Sequence, residues 1–295
     1  MTRVVLLDGL REVPPETPIL RADDLGVVRG EAVFETLRVV QGTPCFLDEH
    51  LERLGRSAAR LDITLPSGWA DLAHAAAKGY PDAGLRLTMT KGGVGFAVCF
   101  DVPAETVRGR AGVTAVTLPL GMAAGFRSGA PWMLGGVKNT SYAVNMATLR
   151  HAHDIGADDA IWVSTDGYVL EAPTSTVVAL VDGALVTPPA GTGILPGTTL
   201  LACQRLTEVK EAPLTVEQLG TAGEVALLSS VRGVAPVVQL DGRELGTGPV
   251  VSALAQAFET SLQLRPAPRP SGPRTSDPTP GPAAAKAGCP APAAP

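Results

Sequence analysis

The chain has 295 residues, 45% of them hydrophobic and 18% charged, enough apolar material for two cores. Its formal net charge is −5 with acids and bases interspersed, so no basic stripe marks a nucleic-acid partner or an anionic membrane surface. Cys45, Cys99, Cys203 and Cys289 are scattered and the four histidines form no ligand cluster, which argues against a disulfide framework and a metal site; no apolar run reaches membrane-spanning length and no targeting segment opens the chain, so a reduced cytoplasmic setting is expected.

Residues 3 to 13 read as a hairpin turning at Asp8-Gly9, because Asp-Gly tolerates the positive φ of a tight turn. The pair recurs at Asp166-Gly167, Asp182-Gly183 and Asp241-Gly242, which implies antiparallel pairing and not a doubly wound parallel sheet. Residues 31 to 47 form a second strand pair about Gln41-Gly42. The spacing of Leu47, Leu51, Leu54, Ala58 and Leu61 predicts a helix from Asp48 to Leu61, with His50 and Arg53 on another face. A helix over Trp69 to Lys78 and a hairpin of Leu85 to Thr90 with Ala97 to Val102 complete a small α+β domain, residues 1–118. Residues 119–136 are glycine-rich and aperiodic, the interdomain connection that often borders a ligand pocket.

Residues 137–264 read as a larger domain of mixed and antiparallel strands with helices, so the class is α+β in two domains. Its expected elements are a helix from Tyr142 to His153, strands at 159–164, 168–172, 175–181 and 184–187, and a helix from Thr198 to Val209. Strands at 224–229 and 234–240 and a helix from Pro249 to Leu262 close it. The glycines from Gly191 to Gly197 are spaced G-x-G-x-x-x-G and follow a hairpin, which is not a dinucleotide fingerprint. Proline and alanine dominate residues 265–295, a tail expected to be disordered.

Three stretches carry chemistry. Lys138 sits in Val137-Lys138-Asn139-Thr140-Ser141-Tyr142, and an amine flanked by apolar side chains loses charge easily and can attack an aldehyde. Glu171, ending Tyr168-Val169-Leu170-Glu171, can set a carboxylate against a ring nitrogen. Gly197-Thr198-Thr199 opens an apolar run and offers backbone N–H groups and hydroxyls to a phosphate. Aldehyde, ring nitrogen and phosphate are the three parts of pyridoxal 5'-phosphate.

Four motifs stand in order: Gly30-Glu31-Ala32-Val33-Phe34-Glu35-Thr36, His50-Leu51-Glu52-Arg53-Leu54, the Lys138 segment with Glu171, and Gly193 to Thr199. On these residues the sequence, from about Asp8 to about Leu262, resembles the fold-type IV, class IV aminotransferase superfamily of pyridoxal-phosphate enzymes. The resemblance implies Lys138 as the Schiff-base lysine and Glu171 as the partner of the pyridine nitrogen. It implies cofactor contacts from Arg53, Leu195, Gly197, Thr198, Thr199 and Ser230, and from Tyr142 at the phenolic oxygen, one residue nearer the lysine than in branched-chain enzymes. It also implies a homodimer whose active site borrows residues from the partner's small domain.

The activity that this resemblance favours is 4-amino-4-deoxychorismate lyase, which releases pyruvate and 4-aminobenzoate in folate biosynthesis. An aminotransferase of branched-chain or D-amino-acid type is the alternative, and a pyridoxal-phosphate-binding protein without turnover a remote third. The substrate is then a small amine bearing carboxylates, for which Arg29, Arg38, Lys91 and Arg232 are the cationic candidates, with Arg86 and Arg127 in addition. Lys91 departs from the arginine with which D-amino-acid aminotransferases trap the α-carboxylate.

Overall fold

Antiparallel hairpins build the first half of the chain in the computed structural model, which describes residues 2–263. β1 (Thr2–Leu6) turns through Asp8-Gly9, with Gly9 at φ 66°, into β2 (Glu12–Val13). A short helix, α1 (Leu25–Val28), is capped by Asp24, whose carboxylate accepts from the Gly26 N–H at 2.7 Å. There follow β3 (Ala32–Val40), β4 (Thr43–Pro44), α2 (Leu47–Arg60), α3 (Trp69–Ala77), β5 (Asp82–Thr90), β6 (Gly95–Asp101) and α4 (Ala104–Arg108). The strands form one antiparallel sheet in the order β2-β1-β6-β5-β3-β4.

Strand periodicity divides this sheet into two faces with different work. Val33, Leu37, Leu85, Leu87, Ala97 and Cys99 point toward α2 and α3 and close a core with Leu54, Leu72 and Ala76. Each fully buried leucine there contributes about 1.5–3 kcal/mol. The register Thr36↔Arg86 and Phe34↔Thr88 in one pair, with Gly84↔Phe100 in the next, puts Phe34, Thr36, Arg86 and Phe100 together on the other face.

The second half holds β7 (Val113–Pro119), α5 (Phe126–Gly129), α6 (Ala143–Asp154), β8 (Asp159–Val163), β9 (Thr176–Val181), β10 (Ala184–Thr187) and α7 (Thr198–Gln204). β11 (Val209–Glu211), α8 (Val216–Thr221), β12 (Glu224–Ser229), β13 (Gly233–Leu240), β14 (Arg243–Glu244) and α9 (Pro249–Gln263) complete it. The sheet runs β11-β10-β9-β12-β13-β7-β8 with β14 against β13. It is mixed: β7 is parallel to β8 and β13, and β11 to β10, while the hairpins at Asp182-Gly183 and Asp241-Gly242 are antiparallel as expected.

Several expectations need correction. β7, expected with the first group of strands, belongs to the second sheet, so the change of sheet falls before Val113. Residues 168–172 pair irregularly, through the isolated bridges Val163↔Val169 and Tyr168↔Thr215 and hydrogen bonds of Leu170 and Glu171 with the Trp162 backbone, and do not form a full strand. The helix from Thr198 ends at Gln204, because Val209–Glu211 finds parallel partners in β10 that a continued helix would forgo. α8 was not expected, although Thr215 and Gln218 form a capping box that the sequence displays openly. The glycine-rich, aperiodic connection contains α5 and a 3-10 turn at Pro131–Met133. The tail expected at 265–295 lies outside the described residues. Among the described residues no helix is long and apolar enough to cross a membrane, and no group of acidic, histidine or cysteine side chains is arranged to hold a metal ion.

Candidate active site

The inner face of the first sheet, the connecting stretch and the C-terminal edges of the second sheet line a cavity of about 560 Å³. Lys138 enters it from an extended segment tied to β3, where Val33 and Asn139 form a β-bridge and the Phe34 N–H donates to the Lys138 carbonyl at 3.1 Å. The Lys138 N–H donates to Ser57 Oγ at 3.1 Å. Its Nζ lies 4.5 Å from the Phe34 ring centroid and donates to Tyr142 Oη at 3.3 Å. Burial, helped by the positive charge of Arg53, pulls the Lys138 pKa down to about 8 against the opposing pull of Glu35 and Glu171. Burial pushes the Tyr142 phenol up to about 12, so it keeps its proton across the neutral range.

Behind the lysine stands a charged cluster centred on Glu35, which the sequence shows only as one acid in an apolar strand. Glu35 is fully buried and accepts from Arg53 Nε and Nη2, both at 2.7 Å, and from His50 Nδ1 at 2.6 Å. Burial alone would raise the Glu35 carboxyl, but Arg53 and His50 outweigh it and hold the pKa at about 2. Burial also lowers His50, more than Glu35 raises it, so the imidazole is neutral with its Nδ1 proton toward Glu35. Its Nε2 is therefore an acceptor, 3.2 Å from Thr198 Oγ1 and 3.3 Å from Ser230 Oγ. One lone pair can take one of these hydroxyl protons; the two hydroxyls also lie 3.4 Å apart, so the other can donate to its neighbour or to an anion in the cavity.

Arg53 spends three of its five N–H groups on Glu35 and the Pro196 carbonyl, which leaves two for an anion. Thr198 and Thr199 sit in the first turn of α7, whose backbone N–H groups have no intrahelical acceptor. Gly197 permits the tight approach there, since a Cβ would stand 2.4 Å from Thr176 Oγ1. On the far wall Glu171 accepts from Arg127 Nη1 and from the Leu195 N–H, both at 3.0 Å. Burial raises its pKa while Arg127 and Leu195 oppose the rise.

The cationic candidates separate cleanly. Arg232 lines the cavity, although one of its Nη groups is already held by Asp159 Oδ2 at 2.7 Å and Ser175 Oγ at 3.0 Å. Arg38 does not reach the cavity: it is clamped between Asp82 and Glu259, which ties β3 to α9. Lys91 pairs with Glu31 and Arg29 is exposed beside the Val28 carbonyl, and neither lines the cavity. Within this chain, therefore, the cavity wall holds none of these three expected substrate contacts. Arg86 lines the cavity with its guanidinium 5.1 Å from the Phe34 ring centroid, without an ion pair or hydrogen bond to another described residue. Thr36, its cross-strand neighbour, lines the same cavity, but its Oγ1 is turned into the wall, buried and with no partner among the described residues. Alternation along β3 was the signal that would have found Thr36, because it shares a face with Phe34.

A nucleophilic amine, a buried carboxylate and an oxyanion cradle match the aldehyde, ring nitrogen and phosphate of pyridoxal phosphate, so the donors present fit that cofactor and the fold is of type IV. The chain belongs to the class IV aminotransferase family, whose model matches residues 32–240. The bifunctional aminodeoxychorismate lyase / D-amino acid transaminase of Mycobacterium tuberculosis is 39% identical over 288 residues, which cover 88% of this chain and 98% of that one. A D-alanine aminotransferase of Bacillus licheniformis is 29% identical over 82% of this chain and 89% of its own length. Among solved structures, the PLP-bound form of a hypothetical aminotransferase from M. tuberculosis has a TM-score of 0.84 at 37% identity, covering 89% of this chain and 99% of that one. A fold IV transaminase from Curtobacterium pusillum has a TM-score of 0.82 at 32% identity, over 90% and 100% of the two chains. This chain is accordingly a pyridoxal-phosphate-dependent enzyme.

Proposed function

We propose that the enzyme is a 4-amino-4-deoxychorismate lyase that releases pyruvate and 4-aminobenzoate. The observation that carries this reading is the unpartnered Thr36 hydroxyl beside the unpaired Arg86. A buried hydroxyl without a partner costs about 1–3 kcal/mol, and a turn of Thr36 about χ1 would bring it from the wall into the cavity, where a substrate can supply that partner. Arg86 offers a carboxylate two parallel hydrogen bonds. The likeness to the bifunctional M. tuberculosis relative supports the same reading.

Bound, pyridoxal phosphate supplies an electron sink at the carbon bearing the substrate amine. In this proposal Arg53, Thr198, Thr199 and Ser230 hold its phosphate, Glu171 its ring nitrogen, and Tyr142 its phenolic oxygen, with Leu195 and Gly197 shaping the turn between. Lys138 holds the cofactor and, once displaced by the substrate amine, takes the proton from the amine-bearing carbon. Arg86 fixes a carboxylate while the neighbouring C–O bond breaks and its electron pair leaves with the three-carbon fragment. Thr36 donates a proton to that departing oxygen and is reprotonated by the Lys138 ammonium, so no net proton is consumed; the fragment tautomerises to pyruvate and the ring becomes aromatic.

Transamination of D-amino acids is the second reading, favoured by the double activity named for the M. tuberculosis relative and by the D-alanine aminotransferase relative. It needs Lys138 but no acid for a leaving oxygen, so Thr36→Val separates the two. The lyase kcat/KM is expected to fall at least about 100-fold, the lower range for a lost general acid, and D-alanine turnover to fall far less. Lyase turnover at the wild-type rate would remove Thr36 and the argument built on it. A homodimer is part of the proposal, supported by the exposed Phe126, Trp132 and Val144; a fully active monomer in light scattering would contradict it.

A further inference from the structure

Gly84 lies in the interior of β5, where glycine weakens a strand, and the space that its side chain would fill is taken by Phe100. A Cβ on Gly84 would stand 2.4 Å from Phe100 Cζ and 2.5 Å from Cε2, so the far end of the ring covers the glycine. Phe100 is only half-buried and the rest of its surface lines the cavity. The register Gly84↔Phe100 and Arg86↔Val98 sets this ring and the Arg86 guanidinium on one face as diagonal neighbours. An aromatic surface and a cation without a counter-ion among the described residues thus stand side by side on the wall that also carries Thr36. A short aliphatic side chain gains little from such a pair, whereas a planar ring with a carboxylate gains stacking and charge pairing together.

We infer that Phe100, seated over Gly84, and Arg86 form a subsite for planar six-membered-ring carboxylates and so set the enzyme's preference for cyclic over small acyclic amines. The natural occupant rests on the lyase reading above; the subsite itself does not. Gly84 is a positioning residue in this account, because a methyl there displaces the ring it supports.

The test uses the cofactor-loaded enzyme and its Phe100→Leu, Phe100→Tyr and Gly84→Ala variants, each checked for cofactor content by its visible absorbance. 4-Aminobenzoate is titrated calorimetrically, and kcat/KM is measured for 4-amino-4-deoxychorismate and for D-alanine with 2-oxoglutarate. Phe100→Leu and Gly84→Ala are expected to weaken 4-aminobenzoate about tenfold and to lower the ratio of lyase to D-alanine kcat/KM by a similar factor, with Phe100→Tyr restoring both. Unchanged 4-aminobenzoate affinity in Phe100→Leu, or an equal loss for both substrates, overturns the subsite. A wild-type enzyme that binds 4-aminobenzoate through Phe100 yet makes no pyruvate keeps the subsite and sinks the lyase reading. A working lyase indifferent to Phe100 does the reverse.

Discussion

Replacing Lys138 by alanine is expected to abolish turnover of every substrate and the visible band of the bound cofactor while leaving the fold intact. The amine sits at the meeting of three effects: burial against Phe34, the positive charge of Arg53, and a segment pinned to β3 by the Val33–Asn139 bridge. In the proposed role Lys138 would both anchor the cofactor and carry the proton, so its loss should cost at least about 10³-fold in rate, about 4 kcal/mol of barrier. Normal turnover in Lys138→Ala would refute the assignment. The depressed pKa adds a second readout on the wild-type chain. A lysine attacks an aldehyde only when neutral, so cofactor uptake by the stripped enzyme should rise as pH passes through about 8 and level off above it, and not climb toward 10.5 as for a solvated lysine. A continuing rise to pH 10 would show that Lys138 is not buried as described.

The second large effect is on stability. Glu35→Gln removes the charge that neutralises Arg53 inside the protein, and leaving one partner of a buried pair uncompensated costs about 3–5 kcal/mol. That is a large share of the roughly 5–15 kcal/mol that holds a domain folded, so the urea midpoint should drop sharply and cofactor affinity with it. The pH dependence has a definite sign. The folded pKa of about 2 lies below the ordinary 4.5, so the cluster's contribution is complete above pH 4.5 and is lost as pH falls from there toward 2. Glu35→Gln should lack that part of the acid dependence. A variant that melts like the wild type at pH 7 would mean that Arg53 finds another counter-ion.

Much of this architecture could be read from local chemistry alone. The Asp-Gly turns announced the hairpins because Asp182 and Asp241 adopt φ 50°, which few other residues tolerate. The heptad-like leucines announced α2, and the motif order brought forward Lys138, Glu171 and the turn before Thr198, which the fold gathers around one cavity. What stayed hidden depends on pairing between distant segments. β7 reads as the end of one domain until its parallel register with β8 and β13 assigns it to the other sheet. Arg38 and Arg86 lie on the same strand-facing pattern and are chemically alike; only tertiary contacts show that Asp82 and Glu259 consume the first while the second stands unpaired in the cavity. Glu35 was visible as an acid in an apolar strand, but its purpose emerges only when α2 brings His50 and Arg53 onto it.

The most direct test of the lyase reading needs no variant. The cofactor-loaded enzyme is incubated with 4-amino-4-deoxychorismate and, separately, with D-alanine and 2-oxoglutarate, and the products are identified by mass. The account predicts pyruvate and 4-aminobenzoate in equal amounts from the first incubation. Keto acid formation from D-alanine with neither product from 4-amino-4-deoxychorismate would contradict it and leave the enzyme a transaminase.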